Sequence, residues 1–472
     1  MKKGTIAALA ACALLTAFSP LAAQSASQSA SQGPAQGASQ GTARDADQSA
    51  TERTVTVEEA VALAMENNIA LTSAAIDVRV KKRGKDLAWN VFIPSVQATG
   101  TLSRANSVSD PLAMLAAIPM LGYTSPELGE ADHWRAVLGI NLSLNVNMAL
   151  FEGLKATRQG YEAGLIGYEQ ARAITEAGVR KAFYAILLAD GSLAIAREKL
   201  ATSEKRHEQT LANWRNGLAP ELSLLQTQLA VEQQRPVVME AESAVGKSKD
   251  DFAFLIGLPL GTRLRLDGAI DPTLVDANAD ELVAKHLAGR LDLALVAKTI
   301  EMQKTAIRAH RLQRYTPFLQ ISQGFGSMLA PIDSGDWSDD TGAFSLTLGM
   351  EISGLLPFSS TGQAAQDKND ELAKLELQLK EKAFSAELEV RHLVKRLEKG
   401  RASIKTMELS VALAKRAYAL SEQGYRAGTI EYLDLKDAET SLLQAELGVL
   451  NEKFGYISTL LDLETALNAK LN

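Results

Sequence analysis

Small and apolar residues recur in steps of three and four along the C-terminal part of the chain, while Lys, Glu and Arg occupy the other positions. The recurring positions are Leu372, Leu375, Leu379, Ala383, Ala386, Val390, Leu393, Leu397, Ile404, Met407, Val411, Ala414 and Tyr418. This spacing is typical of helices that pack side by side as coiled coils. Because no proline follows Pro357, the pattern predicts one long helix over 367–425.

Five further helices follow from similar stretches and from the residues that end them. Glycine tolerates the left-handed conformation that closes a helix, and proline suits the first turn of the next helix. Gly217 with Pro220, and Gly428 in the second case, therefore predict tight hairpins between long helices. The other predicted helices are 57–90, 152–215, 221–256, 280–314 and 431–470.

Four other segments alternate between apolar and polar residues, which predicts β-strands with one apolar and one polar face. The two clearest segments are 137–146 and 344–352. In the first, Leu138, Ile140, Leu142, Leu144 and Val146 alternate with Gly139, Asn141, Ser143 and Asn145. Two weaker strands, 96–104 and 318–326, are each introduced by a proline, Pro94 or Pro317. Alternating segments of about ten residues are what a transmembrane β-barrel requires.

The chain repeats itself. Tyr425, Gly428, Leu433, Leu435 and Gln444 stand 211 positions after Trp214, Gly217, Leu222, Leu224 and Gln233. Around each copy the predicted order is the same: a helical stretch, a proline, two strands joined by a loop, and two long helices. We therefore predict two structural repeats, 54–272 and 273–472.

Four strands cannot close into a barrel, and an open sheet edge in hydrocarbon leaves backbone groups without hydrogen bonds. Two copies would supply about eight strands and a plugged barrel, whereas three would supply about twelve and a water-filled lumen. The pattern thus favours a homotrimer embedded in membrane lipid. Two alternatives remain at this point, a soluble coiled-coil scaffold and a soluble β-sandwich. The long loop over 105–134 belongs on the cell exterior in the barrel interpretation.

The N-terminus begins with Lys2 and Lys3, an apolar run and small residues up to Ala23, which predicts a secretory signal over 1–23. A transmembrane anchor and lipidation at Cys12 are the alternatives. Residues 24–53 are rich in Gln, Ser, Ala and Gly and predict a disordered leader. The net charge of −7 gives no reason to expect a nucleic-acid partner.

The residue types that carry catalysis or bind metals do not form a pattern in this chain. Cys12, the only cysteine, lies in the predicted signal, which excludes disulfides and thiolate metal sites in the mature protein. The five histidines lack the spacing of metal ligands or of a catalytic base beside its nucleophile. We therefore expect no enzyme activity, cofactor or metal.

Taken in order, these elements resemble the TolC-like outer-membrane factor family of efflux pumps and type I secretion systems. The resemblance extends over almost the whole chain after the leader. It rests on the repeated leading helix and proline, on the hairpins, and on the strand-to-helix junctions Leu150-Phe151-Glu152-Gly153 and Leu356-Pro357-Phe358-Ser359. It implies a mainly α-helical fold with a transmembrane β-barrel portion: a trimer with a twelve-stranded barrel in the outer membrane and a coiled-coil tunnel across the periplasm.

The resemblance also implies roles for residues at the hairpins. Asp434 and Asp437 match two aspartates that ring the periplasmic entrance in the family, and solvated residues of a helix start are the alternative. Tyr425 matches the aromatic member of a polar link between coils, or is a packed hairpin residue. Ile430 and Ser223 stand where that link needs a basic residue and an aspartate, so a lock here is weaker or differently built. The expected adaptor contacts are Gly217, Leu218, Gly428 and Thr429.

These expectations lead to one main functional hypothesis and two alternatives. The main hypothesis is a passive outer-membrane exit duct that works with a periplasmic adaptor protein and an inner-membrane transporter. The first alternative is the outer-membrane component of type I protein secretion, which would use the same duct. The second, of another class, is a structural periplasmic coiled-coil protein.

Overall fold

A computed structural model describes residues 53–471, except for 111, 125, 126, 260, 353, 355 and 357. The predicted signal, Cys12 and nearly all of the predicted leader lie outside the described residues. Arg53, the last residue assigned to that leader, instead begins a short strand.

The described chain contains eight α-helices and six β-strands. The helices are α1 (Val57–Asn67), α2 (Ile69–Asp86), α3 (Ala149–Arg215), α4 (Glu221–Leu255), α5 (Ala279–His286), α6 (Leu291–Tyr315), α7 (Ser360–Arg426) and α8 (Tyr432–Leu467). The strands are β1 (Arg53–Val55), β2 (Ser95–Arg104), β3 (Trp134–Val146), β4 (Leu264–Leu266), β5 (Phe318–Leu329) and β6 (Phe344–Gly349). Short 3₁₀ turns connect several of them.

The long helices are confirmed. Helices α3 and α7 have 67 residues each, which corresponds to roughly 100 Å at 1.5 Å per residue. All thirteen seam positions predicted for α7 are buried or half-buried. Helix α7 packs along α8, α3 packs along α4, and α3 also contacts α8. The seam was predictable because its period of three and four is a property of the helix surface itself.

The two leading helices were predicted as continuous over 57–90 and 280–314, and both predictions were wrong. The first helix breaks at Asn68, whose side-chain amide donates to the Leu255 carbonyl (2.9 Å) and whose Oδ1 accepts from the Leu71 N–H (3.0 Å). This side chain caps α2 and ties it to the end of α4. The second helix breaks at Arg290, which has extended backbone dihedrals before α6.

The four predicted strands form one antiparallel sheet in the order β2-β3-β5-β6. Two strands are longer than predicted, β3 at its start and β5 at its end. Strand β6 is shorter than the predicted 344–352, because it ends at Gly349 opposite Phe318. Pro317, which precedes Phe318, has no backbone N–H. It therefore cannot donate a hydrogen bond that would extend the pairing of β5 and β6 beyond Phe318 and Gly349. Strands β2 and β6 are the two edges of the sheet.

Residues paired across the ladders share a face, and the register places most apolar side chains on one face and most polar side chains on the other. Gln323 and Ser327 lie on the mainly apolar face, and Phe318 and Met328 lie on the mainly polar face. One face carries Val96, Ala98, Leu102, Leu138, Ile140, Leu142, Ile321, Phe325, Phe344, Leu346 and Leu348. The other face carries Gln97, Thr99, Asn141, Ser143, Asn145, Gln320, Ser322, Ser345 and Thr347. Serine pairs bridge neighbouring strands on the polar face, with Oγ–Oγ distances of 2.8 Å for Ser95–Ser143 and 2.7 Å for Ser322–Ser345.

The apolar face of this sheet is exposed. Phe344 is 64% and Leu348 73% accessible, and Val96 at the opposite edge is 68% accessible. In the part of the chain that the structure describes, no second sheet packs against this face. The β-sandwich interpretation required such a cover, so the structure disfavours it.

The buried residues form a main cluster in each of the two predicted repeats. In the first repeat, β1 and β4 pair in parallel and join Ala60, Phe183 and Phe252 in one core. In the second repeat, Val390, Leu397 and Leu463 of the α7–α8 pair form the other core. The parallel β1–β4 pair was not predicted, since each strand has only three residues. Among the described helices, none is both long and apolar enough to span a membrane.

Candidate functional site at the helical hairpin ends

Two matched turns close the long helical hairpins. Gly217 and Gly428 adopt positive φ angles of 71° and 72°. The Leu218 N–H donates to the Asn213 carbonyl (2.8 Å), and the Thr429 N–H donates to the Gly424 carbonyl (2.9 Å). This is the glycine-based helix ending known as the Schellman motif. The four residues predicted as adaptor contacts, Gly217, Leu218, Gly428 and Thr429, therefore lie at the two hairpin ends and are all exposed.

Tyr425 lies at the end of α7 and is half-buried. Its ring contacts the ring of Tyr432 at the start of α8, with centroids 6.2 Å apart and planes inclined by 58°. Ile430 packs over Gly424 inside the same turn. Ser223 is in the other hairpin, where its carbonyl accepts from the Thr227 hydroxyl. Within one chain, the Tyr425 ring therefore lies against an aromatic ring of its own hairpin.

Asp434 and Asp437 lie in the first two turns of α8, and both are exposed. Their spacing of three places them on one side of the helix, while Leu435 between them is buried. The backbone carbonyl of Asp437 accepts a hydrogen bond from the Ser441 hydroxyl at 2.8 Å. The side-chain carboxylate of Asp437 takes no part in this bond. The two acids are therefore available at the hairpin end of α8.

An ion pair above the hairpin ends was missed from the sequence. Arg206 of α3 and Glu439 of α8 are 2.8 Å apart between Nη1 and Oε2, and their side chains are only 11% and 14% exposed. Burial disfavours the charged guanidinium, but the hydrogen bond and charge of Glu439 outweigh it and raise the pKa of Arg206. Burial raises the pKa of the Tyr418 and Tyr432 phenols, and the charge of Arg206 opposes this rise.

The sequence contains a signal for each charged residue but not for their pairing. Arg206 lies three residues after Ser203 and four before Thr210, both of which are buried on the face of α3 that meets its neighbours. Glu439 similarly lies four residues after the buried Leu435. A charge at a seam position is rarely buried without a partner. The partner itself cannot be identified without the tertiary contact between α3 and α8.

The described residues of the hairpin ends form no cluster of metal-ligating side chains. Among the described residues, no three His, Cys, Asp or Glu side chains come together as possible metal ligands. His207, the histidine nearest to the hairpins in sequence, lies 3.3 Å from the Thr227 hydroxyl through Nδ1 and joins α3 to α4. The side chains near the hairpin ends connect neighbouring helices, and the exposed groups there are the two aspartates and the two turns.

Comparison with known proteins relates the whole described architecture to one family. The family model described as outer membrane efflux protein matches residues 60–258 and 282–469. A curated relative is the probable efflux pump outer membrane protein TtgC of Pseudomonas putida. It is 22% identical over 428 residues, which cover 87% of this chain and 82% of TtgC.

Solved structures show the same fold at lower identity. The CmeC outer membrane channel of Campylobacter jejuni superposes with a TM-score of 0.70 at 16% identity, covering 87% of this chain and 85% of CmeC. The outer membrane protein VceC of Vibrio cholerae superposes with a TM-score of 0.66 at 17% identity, covering 88% of this chain and 97% of VceC.

Proposed function

Because this chain belongs to the outer membrane efflux protein family and is located in the outer membrane, we propose that it is the exit duct of a tripartite efflux pump. Substrates would pass through it unaltered, driven by an inner-membrane transporter that a periplasmic adaptor connects to the duct. The observation that carries this proposal is the four-stranded sheet, with one exposed apolar face, one polar face and two open edges. Lipid suits the first face and a water-filled lumen suits the second.

The open edges support a homotrimer. In hydrocarbon, the unpaired backbone groups of β2 and β6 must find partners, and β6 of one copy paired with β2 of the next copy would supply them. A head-to-tail contact of this kind generates a ring when the rotation closes. Three copies give twelve strands, enough for a barrel that encloses a channel.

The long helices also leave apolar surface uncovered in a single chain. On α7, a second apolar stripe lies opposite the buried seam, within an arc of about 60° at 3.6 residues per turn. This α7 stripe consists of Leu377, Phe384, Leu388, Leu409, Leu413 and Leu420. Helix α4 has a similar exposed stripe opposite its contact with α3, consisting of Leu222, Leu225, Leu229 and Phe254. A helix of a soluble protein usually carries its apolar residues on the one face that packs against the core. A second, exposed apolar stripe therefore suits contact with a neighbouring copy.

The efflux assignment is preferred to type I secretion because TtgC is described as an efflux pump outer membrane protein. The structural coiled-coil alternative gives no role to a sheet with an exposed apolar face. The hairpin ends, with the exposed Gly217, Leu218, Gly428 and Thr429, are the proposed contact with the adaptor, because they are the turns farthest along the helices from the sheet.

The proposed entrance of the duct is formed by the start of α8, with Asp434 and Asp437 as its acidic lining and Tyr425 as a packed support. In a trimer these positions place six carboxylates around one axis, which attracts cations. Changing both aspartates to Ala should alter the conductance and weaken block by multivalent cations. Changing Asp367 and Asp370, which lie near the other end of α7, to Ala should leave the block unchanged. Equal block in both double variants would remove Asp434 and Asp437 from the entrance.

Planar-bilayer recording on the purified full-length protein tests the duct itself. We expect detergent-stable trimers that insert into lipid and give discrete single-channel currents. A water-soluble monomer that never inserts would contradict the proposal and favour the structural coiled-coil protein. Stable insertion without current would show a barrel that is not a conduit.

A further inference from the structure

Two helices lead into the sheet, and both become strongly basic near the sheet. Helix α2 precedes β2, and α6 precedes β5. Residues 78–85 of α2 include five Lys or Arg and no acid, and residues 304–315 of α6 include four and no acid. The helices that lead out of the sheet are balanced, with two basic and two acidic residues over 149–165 and two basic and three acidic residues over 360–374. The positive charge is therefore concentrated on α2 and α6.

The exposed basic residues of these two helix ends include three that belong to no ion pair of the described residues: Lys82, Arg308 and Arg311. The acids next to these segments already have partners, because Asp86 pairs with Lys85 (3.2 Å) and Glu301 pairs with Lys298 (2.6 Å). Arg308 donates from Nε to the backbone carbonyl of Lys304 (3.3 Å), which does not neutralise its charge. Like charges three or four positions apart repel each other on a helix, so these residues suit an external negative surface.

The hydrogen bonds of β5 determine the order of the strands as seen from the apolar face of the sheet. Gly324 pairs with Asn141 on the polar face, and its N–H donates to the Ala343 carbonyl at the start of β6. Because the residues are L-amino acids, this direction places β6 to the left of β5 and β3 to its right when the apolar face is viewed with α6 below. The helices follow the same order, with α6 in contact with α7 on one side and α3 on the other.

The contacts of α6 then determine which of its faces lies on the apolar side of the sheet. Gln303 contacts α7 through a hydrogen bond from its amide to the Lys368 carbonyl (2.9 Å). Lys298 contacts α3 through an ion pair with Glu162 (2.6 Å). In a right-handed helix that rises toward the sheet, these two contacts turn the two arginines of α6 to the side of the apolar face.

The same construction applies to α2, which has α3 on its left in this view. Lys85 lies over the Tyr161 ring of α3, with its ammonium 4.6 Å from the ring centre. This contact turns Lys82, three residues earlier, to the side of the apolar face as well. The three basic residues and the apolar face of the sheet are therefore on the same side of the protein.

The three residues also lie at the right height for the boundary between membrane and water. Tyr315 ends α6 and is 53% exposed, and Trp89 follows α2 and is 56% exposed. Both residue types are enriched at this boundary. Arg311 lies about 6 Å below Tyr315, and Arg308 and Lys82 lie about 10 Å below the nearest of these aromatic residues, at 1.5 Å per residue. The headgroup region is roughly 5–7 Å deep, and long basic side chains extend toward it.

We propose that Lys82, Arg308 and Arg311 form a basic collar that binds the phosphate groups of anionic phospholipids in the inner leaflet of the outer membrane. This inference rests on the proposed barrel and its orientation. In a trimer, three such sets would surround the tunnel just below the barrel. The apolar face of the sheet holds the protein in any lipid, whereas the basic collar makes the protein prefer anionic lipid, since basic residues beside a membrane are attracted to negative headgroups.

Electron spin resonance of spin-labelled lipids tests the basic collar on the full-length protein in phosphatidylcholine vesicles. Lipids that contact the protein move more slowly, and their signal gives the association of labelled phosphatidylglycerol relative to labelled phosphatidylcholine. We expect a severalfold preference of the wild type for phosphatidylglycerol at low salt. The triple variant Lys82→Gln, Arg308→Gln and Arg311→Gln should bring this preference close to one, because glutamine is polar but uncharged.

The matched control is the triple variant Lys205→Gln, Arg396→Gln and Arg416→Gln. It removes the same charge from exposed positions that lie roughly 50 Å or more along the long helices. Its lipid preference should equal that of the wild type. A wild-type preference in the collar variant overturns the basic collar, and so does an equal loss of preference in the control.

A salt titration of the wild type decides the question even if the collar variant does not fold. The preference should disappear between about 0.01 M and 1 M salt, because the Debye length falls from about 30 Å to about 3 Å over this range. A preference that does not change with salt overturns the basic collar. A wild-type protein that does not insert into the vesicles at all contradicts the proposed duct instead, so the two failures are distinguishable.

Discussion

Single residues decide how the helices of this protein end. Gly217, Gly257 and Gly428 each follow a long helix, have positive φ angles and place the next N–H on a carbonyl of the last turn. The surroundings of the three differ. At Gly217 and Gly428 a Cβ atom would meet nothing within 4 Å, whereas at Gly257 it would lie 2.5 Å from Asn67 Cβ and 2.7 Å from the Asn67 carbonyl oxygen.

We expect Gly257→Ala to lower the thermal midpoint of unfolding far more than Gly428→Ala. Both variants place a side chain in the left-handed region, which costs about 1–2 kcal/mol. Only Gly257→Ala must also displace the backbone at Asn67, which lies beside the cap at Asn68 and the first-repeat core. Far-UV circular dichroism of the detergent-solubilised protein measures both midpoints. Equal midpoints would show that the contact between Gly257 and Asn67 relaxes freely.

The start of α6 predicts a dependence of stability on pH. Arg290 forms hydrogen bonds with Asp292 and Glu389 and is largely buried. Burial would raise the pKa of Asp292, but the Arg290 guanidinium and the Leu293 N–H outweigh it and lower that pKa. A carboxylate with a lowered folded-state pKa stabilises the protein above the unfolded pKa of about 3.9, and the contribution is lost as the pH falls through the folded value.

We therefore expect the thermal midpoint of the wild type to fall between about pH 5 and pH 3, and the midpoint of Asp292→Asn to fall less over this range. Asn keeps the size of the side chain but does not titrate. At neutral pH the variant should be less stable than the wild type, because Arg290 loses a charged partner. Identical slopes in the two proteins would show that Asp292 does not contribute to acid sensitivity.

The course of a helix also depends on residues that the periodic pattern of apolar positions does not take into account. Helix α4 continues through Pro236, an exposed position in its interior. Proline has no N–H, so the Glu232 carbonyl lacks its helical hydrogen bond, and the ring crowds the preceding turn. The helix persists because its other face packs along α3, with Val231 and Val238 buried on either side of the proline.

Pro236→Ala should raise the thermal midpoint, because it restores one backbone hydrogen bond and removes the crowding. An interior proline costs about 3 kcal/mol relative to alanine in a free helix, and packing reduces the difference here. Gln233→Ala is the control, since it changes a nearby exposed residue without altering the backbone. A lower midpoint for Pro236→Ala than for this control would mean that α4 needs a bend at this position.

The local sequence pattern predicted the interiors of helices and strands better than the residues at which they end. The seam of α7 and the alternation of β3 follow from residues close in sequence, and both were predicted. The break at Asn68 was not, because it depends on a hydrogen bond to Leu255, which lies 187 residues away. The end of β6 was also missed, because it depends on the pairing of Gly349 with Phe318.

At the scale of the whole molecule, one chain leaves two sheet edges and two apolar helix stripes uncovered. The edges are those of β2 and β6, and the stripes are those of α4 and α7. In the proposed trimer both the edges and the stripes would be covered by neighbouring copies. Trimer formation and channel formation should then be inseparable.

The double variant Phe384→Glu with Leu388→Glu should reduce the detergent-stable trimer strongly, because it buries two carboxylates in an apolar contact between copies. Both residues are exposed in the protomer, at 73% and 55%, so the fold of one chain should tolerate the change. Size-exclusion chromatography with light scattering measures the outcome. Ser385→Glu with His392→Glu adds the same charge outside the stripe and should leave the trimer intact. An intact trimer in both variants would place the interface elsewhere.

Local composition and periodicity were sufficient for the long helices, the four strands of the sheet and the positions of the hairpins. Each of these depends on the distribution of residues within one helix or strand, which is already present in the linear order. The contact between the two hairpins was decided only by folding. Arg206 and Glu439 are 233 residues apart, and nothing local to either residue identifies its partner. Packing of α3 against α8 brings them together and excludes water, and this burial distinguishes them from the many exposed charges on the same helices.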